Sequence, residues 1–218
     1  AEYTFFYWFW KNILPNIKDN TWIGFCSYRE LWGNKKEINM NSKLEDVVLT
    51  KIPEEWKNYN TIIGEHIYMN NLKFSKLVKH GLWSLVRNPS AIIKSKRNLR
   101  FHFDMWHGNG NLDKAINLLD KKEMEDFRLY TKNNVSFSRG NMFVCRSKKI
   151  MNDYFTSVFS WLEKCEEVFG FNLEGYGKTR MYAFLAERYL SYWFNKYTEP
   201  LLWPVIFFDT AKKLNETN

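Results

Sequence analysis

Apolar residues recur along this chain with two different periods, and the interleaving of the two predicts an α/β fold. Residues 2–13 carry Phe5, Trp8 and Phe9 at helical spacing, and Pro15 is expected to end that helix. Residues 22–27 form a short apolar run after a polar turn and read as a buried strand. Ser42 and Glu45 have capping-box spacing, which predicts a helix through Leu49. Pro53 suits the first turn of another short helix, and residues 61–63 read as a strand. Residues 72–79 read as helical, with Gly81 as the interruption.

Residues 100–106 alternate apolar with polar, so a strand or its exit loop is expected there, followed by a loop over 108–111. Residues 112–119 return to helical spacing, and 141–145 read as a strand. Ile150, Tyr154, Val158, Trp161, Leu162, Cys165 and Val168 trace a long amphipathic helix that Gly170 stops. A second long helix is expected over 179–195 and a closing strand over 205–208. With no repeat and no low-complexity linker, the pattern predicts one domain over residues 1–218.

Composition narrows the class. Hydrophobic residues at 45% and charged residues at 26% exclude a disordered or fibrous chain. Cys26, Cys145 and Cys165 have neither metal-ligand nor disulfide-framework spacing. They are expected to be reduced, mostly buried thiols of a reducing, cytoplasmic compartment. No apolar run reaches the roughly 18 residues of a membrane span, and the aromatic start has no basic region of a signal peptide. It also lacks an initiator Met, so the chain is expected to begin inside a longer protein.

The net charge of +8 is concentrated. Between Leu72 and Arg100 lie eight basic residues (Lys73, Lys76, Lys79, Arg87, Lys94, Lys96, Arg97 and Arg100) and no acid, and the rest of the chain nets to zero. Such a stretch favours a phosphate, a nucleic acid or an anionic membrane surface, or is simply a solvated face.

Four short segments carry candidate chemistry. In the densest, His102, Asp104 and His107 would converge on one ion if a strand ended there, because alternation puts His102 and Asp104 on one face. The alternative is a satisfied polar turn beside Trp106. Tyr28 and Arg29 follow a predicted strand, where open α/β sheets bind ligands, and Arg29 offers a planar fork to a phosphate or pairs with Glu30. Gly140 and Asn141 precede a strand, as a close backbone approach or an ordinary turn. Glu187 sits in an apolar helix, so it either pairs across the core or acts as a base in a cleft. Its neighbour Arg188 is expected to face another way.

In this order the segments resemble a known family. They are the opening Glu2-Tyr3-Thr4-Phe5-Phe6-Tyr7-Trp8-Phe9-Trp10-Lys11-Asn12, then Trp22-Ile23-Gly24-Phe25-Cys26-Ser27-Tyr28-Arg29, Gly140-Asn141-Met142-Phe143-Val144 and Phe184-Leu185-Ala186-Glu187-Arg188-Tyr189-Leu190. The family is the bacterial capsular-polysaccharide glycosyltransferase-like domain, long catalogued as a domain of unknown function and similar to GT-A glycosyltransferases. This chain departs from its pattern at Ser27, where the family has His, at Glu30, where it has Arg, and at Tyr182-Ala183, where it has Gly.

The resemblance implies a GT-A-like mixed sheet flanked by helices, lacking its N-terminal strand or strands. It implies transfer of a sugar from a nucleotide-sugar donor to a glycan or lipid-linked glycan acceptor of a capsule or lipopolysaccharide. On that reading Tyr28, Arg29, Gly140 and Asn141 bind the donor, and Glu187 and Asp104 are catalytic. His102, Asp104 and His107 hold Mn2+ or Mg2+, Trp83 and Trp106 stack on sugars, and the stretch 72–100, with Leu82, Trp83 and Leu85, rests on the inner membrane. The rivals are a catalytically inactive scaffold and a nucleic-acid-binding module. The second is disfavoured because the aromatics fall at core spacing and no RNA-binding signature is present.

Overall fold

The computed structural model describes every residue except Ala1, Tyr28, 36–42, 72–73 and 209–218; the side chains of 74–80 also lie outside the description. Along the chain run α1 (Glu2–Asn12), β1 (Ile23–Gly24), β2 (Glu30–Trp32), α2 (Leu44–Val47), β3 (Thr61–Gly64), β4 (His66–Tyr68) and α3 (Phe74–Arg87). There follow α4 (Leu99–His107), α5 (Asn111–Ile116), α6 (Lys121–Asn133), β5 (Ser136–Ser138), β6 (Phe143–Cys145) and α7 (Lys148–Phe169). The last are α8 (Tyr176–Thr179), α9 (Met181–Tyr197), β7 (Leu201–Trp203) and β8 (Val205–Phe207). The expected α/β class with a mixed sheet is present.

The chain divides into two compact units. Unit 1 comprises residues 1–65, 138–154 and 193–218; unit 2 comprises 66–137 and 155–192.

Unit 1 holds a four-stranded sheet in the order β1-β6-β3-β7. β6 is antiparallel to both β1 and β3, and β3 is parallel to β7. β3 is buried at all four positions and β6 at all three, as continuous apolar runs predict for interior strands. β1 was expected to be interior as well but is a two-residue edge strand, and its Gly24 is exposed. The apolar weight of that segment sits one residue later, where Phe25 packs on Phe6 and Phe143 with ring centroids 4.5 and 5.0 Å apart. β2 and β8 form a separate antiparallel ribbon.

Below the sheet Trp32, Trp56, Ile62, Met142, Val144 and Trp203 make one core. The indole N–H groups of Trp32 and Trp203 are satisfied by the carbonyls of Phe25 (3.0 Å) and Gly33 (2.6 Å). α2 is capped by Asp46, which accepts from the Lys43 N–H at 3.3 Å, rather than by Glu45; Ser42 lies outside the described residues. Cys26 is exposed, against expectation, whereas burial pushes the Cys145 thiol up to about 12.

Unit 2 is helical. α3 continues through Gly81 instead of stopping there. An isolated glycine costs a helix only about 1 kcal/mol, and Gly81 is buried. The larger correction is α4. Asn98 caps it by accepting the Phe101 N–H at 2.9 Å, and it is a helix, not a strand. Leu99, Phe101, Phe103, Met105 and His107 are all buried, which is why the sequence alternates. Leu99 packs with Met69 and Phe137, whereas Phe101 and Met105 pack with Ala91. A helix buried on two faces therefore carries two i,i+4 stripes whose superposition mimics a period of two. In the same unit the Trp161 indole donates to the Ala115 carbonyl at 2.7 Å, and the hydroxyls of Tyr189 and Ser157 bond at 2.7 Å. Cys165 is buried and its thiol is pushed up to about 12.

Candidate functional site

In unit 1 the loops around the sheet's carboxyl end bring Arg29, Gly140 and Asn141, three of the predicted donor-binding residues, to one side of the sheet. β1 and β6 are antiparallel, with Gly24 opposite Val144 and the Phe25 N–H bonded to the Phe143 carbonyl at 3.0 Å. The chain leaving β1 toward Arg29 therefore lies at the same sheet end as Gly140 and Asn141, which enter β6. Ser27 turns this exit by accepting the Glu30 N–H at 3.0 Å, and the Arg29 carbonyl accepts the Phe208 N–H at 2.7 Å. The Arg29 side chain is exposed; Tyr28 lies outside the described residues.

Arg139 pairs with Glu30 at 2.9 Å. Gly140 (φ 87°) and Asn141 (φ 52°) both have left-handed backbone. A Cβ at Gly140 would overlap the Glu30 carboxylate, so the close approach expected at this glycine is made by a side chain of the protein itself. Glu30 and Arg139 are members of this region that the reading of single motifs missed. The signal was the pairing of an acid after one strand with a base before its sheet neighbour.

In unit 2 the three predicted metal ligands take separate partners. On a helix His102 and Asp104 are about 200° apart, so the common face expected from alternation is lost. His102 accepts from Arg188 Nη2 at its Nδ1 (3.2 Å). Burial, then the Arg188 charge, holds it well below the usual histidine range. His107 donates from Nδ1 to the Gly177 carbonyl (2.9 Å) and stacks on Phe184 with centroids 4.1 Å apart. Burial lowers it to about 3. Both imidazoles are therefore neutral. Asp104 accepts the Gly110 N–H at 3.1 Å. Among the described residues no three His, Cys, Asp or Glu side chains are placed to hold a metal ion. His102, Asp104 and His107 therefore do not converge as a common ligand set for Mn2+ or Mg2+.

Glu187 is also placed differently from expectation. Its partner is the adjacent Arg188, whose Nη1 lies 2.5 Å from Glu187 Oε2. The two Cα–Cβ vectors diverge by about 100°, but a fully buried guanidinium on a long stem curls back along its own helix. Arg188 also lies over the Phe137 ring at 4.1 Å. Burial lowers its pKa, and the Glu187 carboxylate opposes that shift. Its Nε has no partner among the described residues.

Asp104 faces a cavity of about 720 Å3 lined by unit 2 residues, among them Arg87, Lys96, Arg100, Asn109 and Lys132. Burial raises its carboxyl to about 6, the Gly110 N–H and the Arg100 charge pulling the other way. Ser84 steadies the rim by donating to Asn109 at 2.9 Å, and Arg100 pairs with Asp113. A carboxylate poised near neutrality beside cations can take a proton from a hydroxyl while the cations hold an anionic group.

Arg29, Gly140 and Asn141 belong to unit 1, and His102, Asp104, His107 and Glu187 to unit 2.

The profile of a domain of unknown function, DUF4422, matches residues 1–198. The chain belongs to the DUF4422 family. No curated protein matches it. Among solved structures, the apo structure of the WbbM bifunctional glycosyltransferase has a similar fold, with a TM-score of 0.63 at 18% identity. The match covers 96% of this DUF4422 chain and 36% of that chain, so the present chain spans little more than a third of its length.

Proposed function

We propose that this DUF4422 chain transfers a sugar, of hexosyl type, from a nucleotide-sugar donor to a cell-surface polysaccharide acceptor such as capsule or lipopolysaccharide. The observation that carries the reading is the fold shared with a glycosyltransferase over 96% of the chain. The GT-A assignment and the capsular context rest on the sequence resemblance. A nucleic-acid-binding role is not favoured, because the aromatics largely build the two cores.

In the reaction the bond from the anomeric carbon to the donor diphosphate breaks, a bond to an acceptor oxygen forms, and the acceptor hydroxyl loses its proton. Asp104 is assigned as the base. Its carboxyl, at about 6, is largely ionised at pH 7 yet basic enough to accept a proton. Glu187 is assigned to positioning through Arg188 rather than to proton transfer. Tyr28, Arg29, Gly140 and Asn141 are assigned to the donor. One of these assignments has local support: Arg29 is exposed at the sheet's carboxyl end, where α/β sheets bind nucleotides.

We place the work of this enzyme at the cytoplasmic face of the inner membrane, held peripherally. No described helix is long and apolar enough to cross a membrane. Leu82, Trp83, Val86, Ile92 and Ile93 are exposed beside Arg87 and Lys94, an arrangement suited to a headgroup region. Leu85 is excluded from that surface, since it packs on Ala91, Phe101 and Met105. Lys73 and the side chains of Lys76 and Lys79 lie outside the described residues. Co-sedimentation should require anionic vesicles and weaken with salt; equal binding to neutral vesicles would count against this placement. Transfer itself is tested by nucleoside diphosphate release from the intact protein given a panel of nucleotide sugars, with and without Mn2+ or Mg2+.

A further inference from the structure

Part of the acid-free basic stretch is directed at a cavity rather than at a surface. Arg87, Lys96 and Arg100, joined by Lys132 from α6, line the 720 Å3 cavity of unit 2. Asp104 is the one acid among the described residues of its lining. Arg100 is paired with Asp113, but Arg87, Lys96 and Lys132 form no ion pair among the described residues. Three cations thus share an open cavity with one carboxylate, and their summed field favours an anionic group on whatever enters.

The rest of the lining is unusual for a cavity of this size. Small-molecule pockets of roughly 300–1,000 Å3 are mostly apolar. Among the described residues, Phe101 and Val135 are the only large apolar side chains in the lining, whereas seven Ser and Asn side chains contribute. Hydroxyls and amides both donate and accept, which matches a ring bearing hydroxyl groups on several carbons. Several of these groups are held in place. Ser84 bonds Asn109, Ser90 bonds Asn88 at 2.7 Å, and the Asn98 amide donates to the Lys132 carbonyl at 2.9 Å while its oxygen caps α4.

We infer that this cavity is a binding site for an acidic sugar, a hydroxyl-rich ring bearing one phosphate or carboxylate. The cations fix the anionic group and the Ser and Asn side chains read the ring. An apolar cofactor would leave these polar groups desolvated and unpaired, and a bare anion would leave most of them unused. The inference does not depend on glycosyl transfer, because binding is measured without turnover.

The test is calorimetric titration of the intact protein with glucose 6-phosphate, glucuronic acid, glucose and inorganic phosphate at low salt. At least one acidic sugar should bind, and the stronger of the two identifies the anionic group. Glucose and inorganic phosphate should each bind at least tenfold more weakly. The Arg87→Gln/Lys132→Gln variant should weaken the acidic sugar at least tenfold with an unchanged far-ultraviolet spectrum and melting temperature, since both side chains are unpaired at the rim. Failure of both acidic sugars to bind, equal binding of glucose or of phosphate alone, or undiminished affinity in the folded double variant would each overturn the inference. None of these outcomes decides whether nucleoside diphosphate is released from a nucleotide sugar, so the two readings fail separately.

Discussion

Arg188 reaches back to its immediate neighbour Glu187, Nη1 to Oε2 at 2.5 Å, while its other terminal nitrogen binds His102 at 3.2 Å. The guanidinium is buried, so it organises the interior of unit 2 instead of decorating its surface. Arg188→Met fills a similar volume but takes the buried guanidinium away from the Glu187 carboxylate. Removing one partner of a buried pair costs about 3–5 kcal/mol. Arg188→Met/Glu187→Gln should recover a large part of that loss, because the carboxylate charge is gone too. Urea unfolding of the single and double variants measures the coupling; strictly additive losses would show that the pair acts as two independent groups.

His102 and His107 predict acid sensitivity. Both are lowered by burial, His107 to about 3, whereas an unfolded histidine titrates near 6.5. Their folded pKa values are depressed, so the neutral, native contribution is intact above about pH 6.5 and is lost as pH falls toward the folded values. Each histidine should add about 1.4 kcal/mol of destabilisation per pH unit in that window. Unfolding free energies at pH 7, 6 and 5 check this, and His107→Phe should remove one histidine's share of the slope. An unchanged slope in that variant would contradict the assignment.

Asp104 has the opposite sign. Its folded pKa of about 6 exceeds the ordinary carboxyl value, so its protonated form is the favoured native form. Stability from this group is present below about pH 4 and is lost as pH rises through about 6. Asp104→Asn keeps an acceptor for the Gly110 N–H and removes the buried charge. It should therefore stabilise the protein at pH 7 by about 1 kcal/mol, partial exposure of the group being allowed for, with no gain at pH 4. A variant less stable than wild type at pH 7 would show that the Asp104 charge is needed by its surroundings.

Gly140→Ala should destabilise unit 1 by more than about 1 kcal/mol, because its φ of 87° disfavours a side chain and the new Cβ would displace the Glu30 carboxylate from Arg139. A melting temperature within a degree of wild type would mean that this loop relaxes freely.

The long elements were legible in the chain. The spacing from Ile150 to Val168 predicted α7, and the runs at Thr61 and Phe143 predicted the two interior strands. What misled was burial on two sides. In α4 two helical stripes add up to an alternating pattern, and the assumed strand carried the metal proposal with it. β2, β7 and α6 were not read, since three-residue strands depend on their ladder partners and α6 carries few apolar residues. The Glu187–Arg188 pair was hidden because adjacent helical positions were assumed to diverge, an assumption that fails for a side chain as long as arginine. The cations around Asp104 were visible as a charged stretch, but their convergence required α3, α4 and α6 to be placed together.

The most direct test of glycosyl transfer is nucleoside diphosphate release by the intact protein, comparing wild type with Asp104→Asn across pH 5 to 8 in the presence of acceptor glycan. The account predicts release from at least one nucleotide sugar, with a rate that rises through about pH 6 as Asp104 ionises and then levels. Asp104→Asn should lower kcat by about 10²–10⁴-fold while remaining folded. No release from any donor in the panel, or an Asp104→Asn variant with the wild-type rate and pH profile, would contradict it.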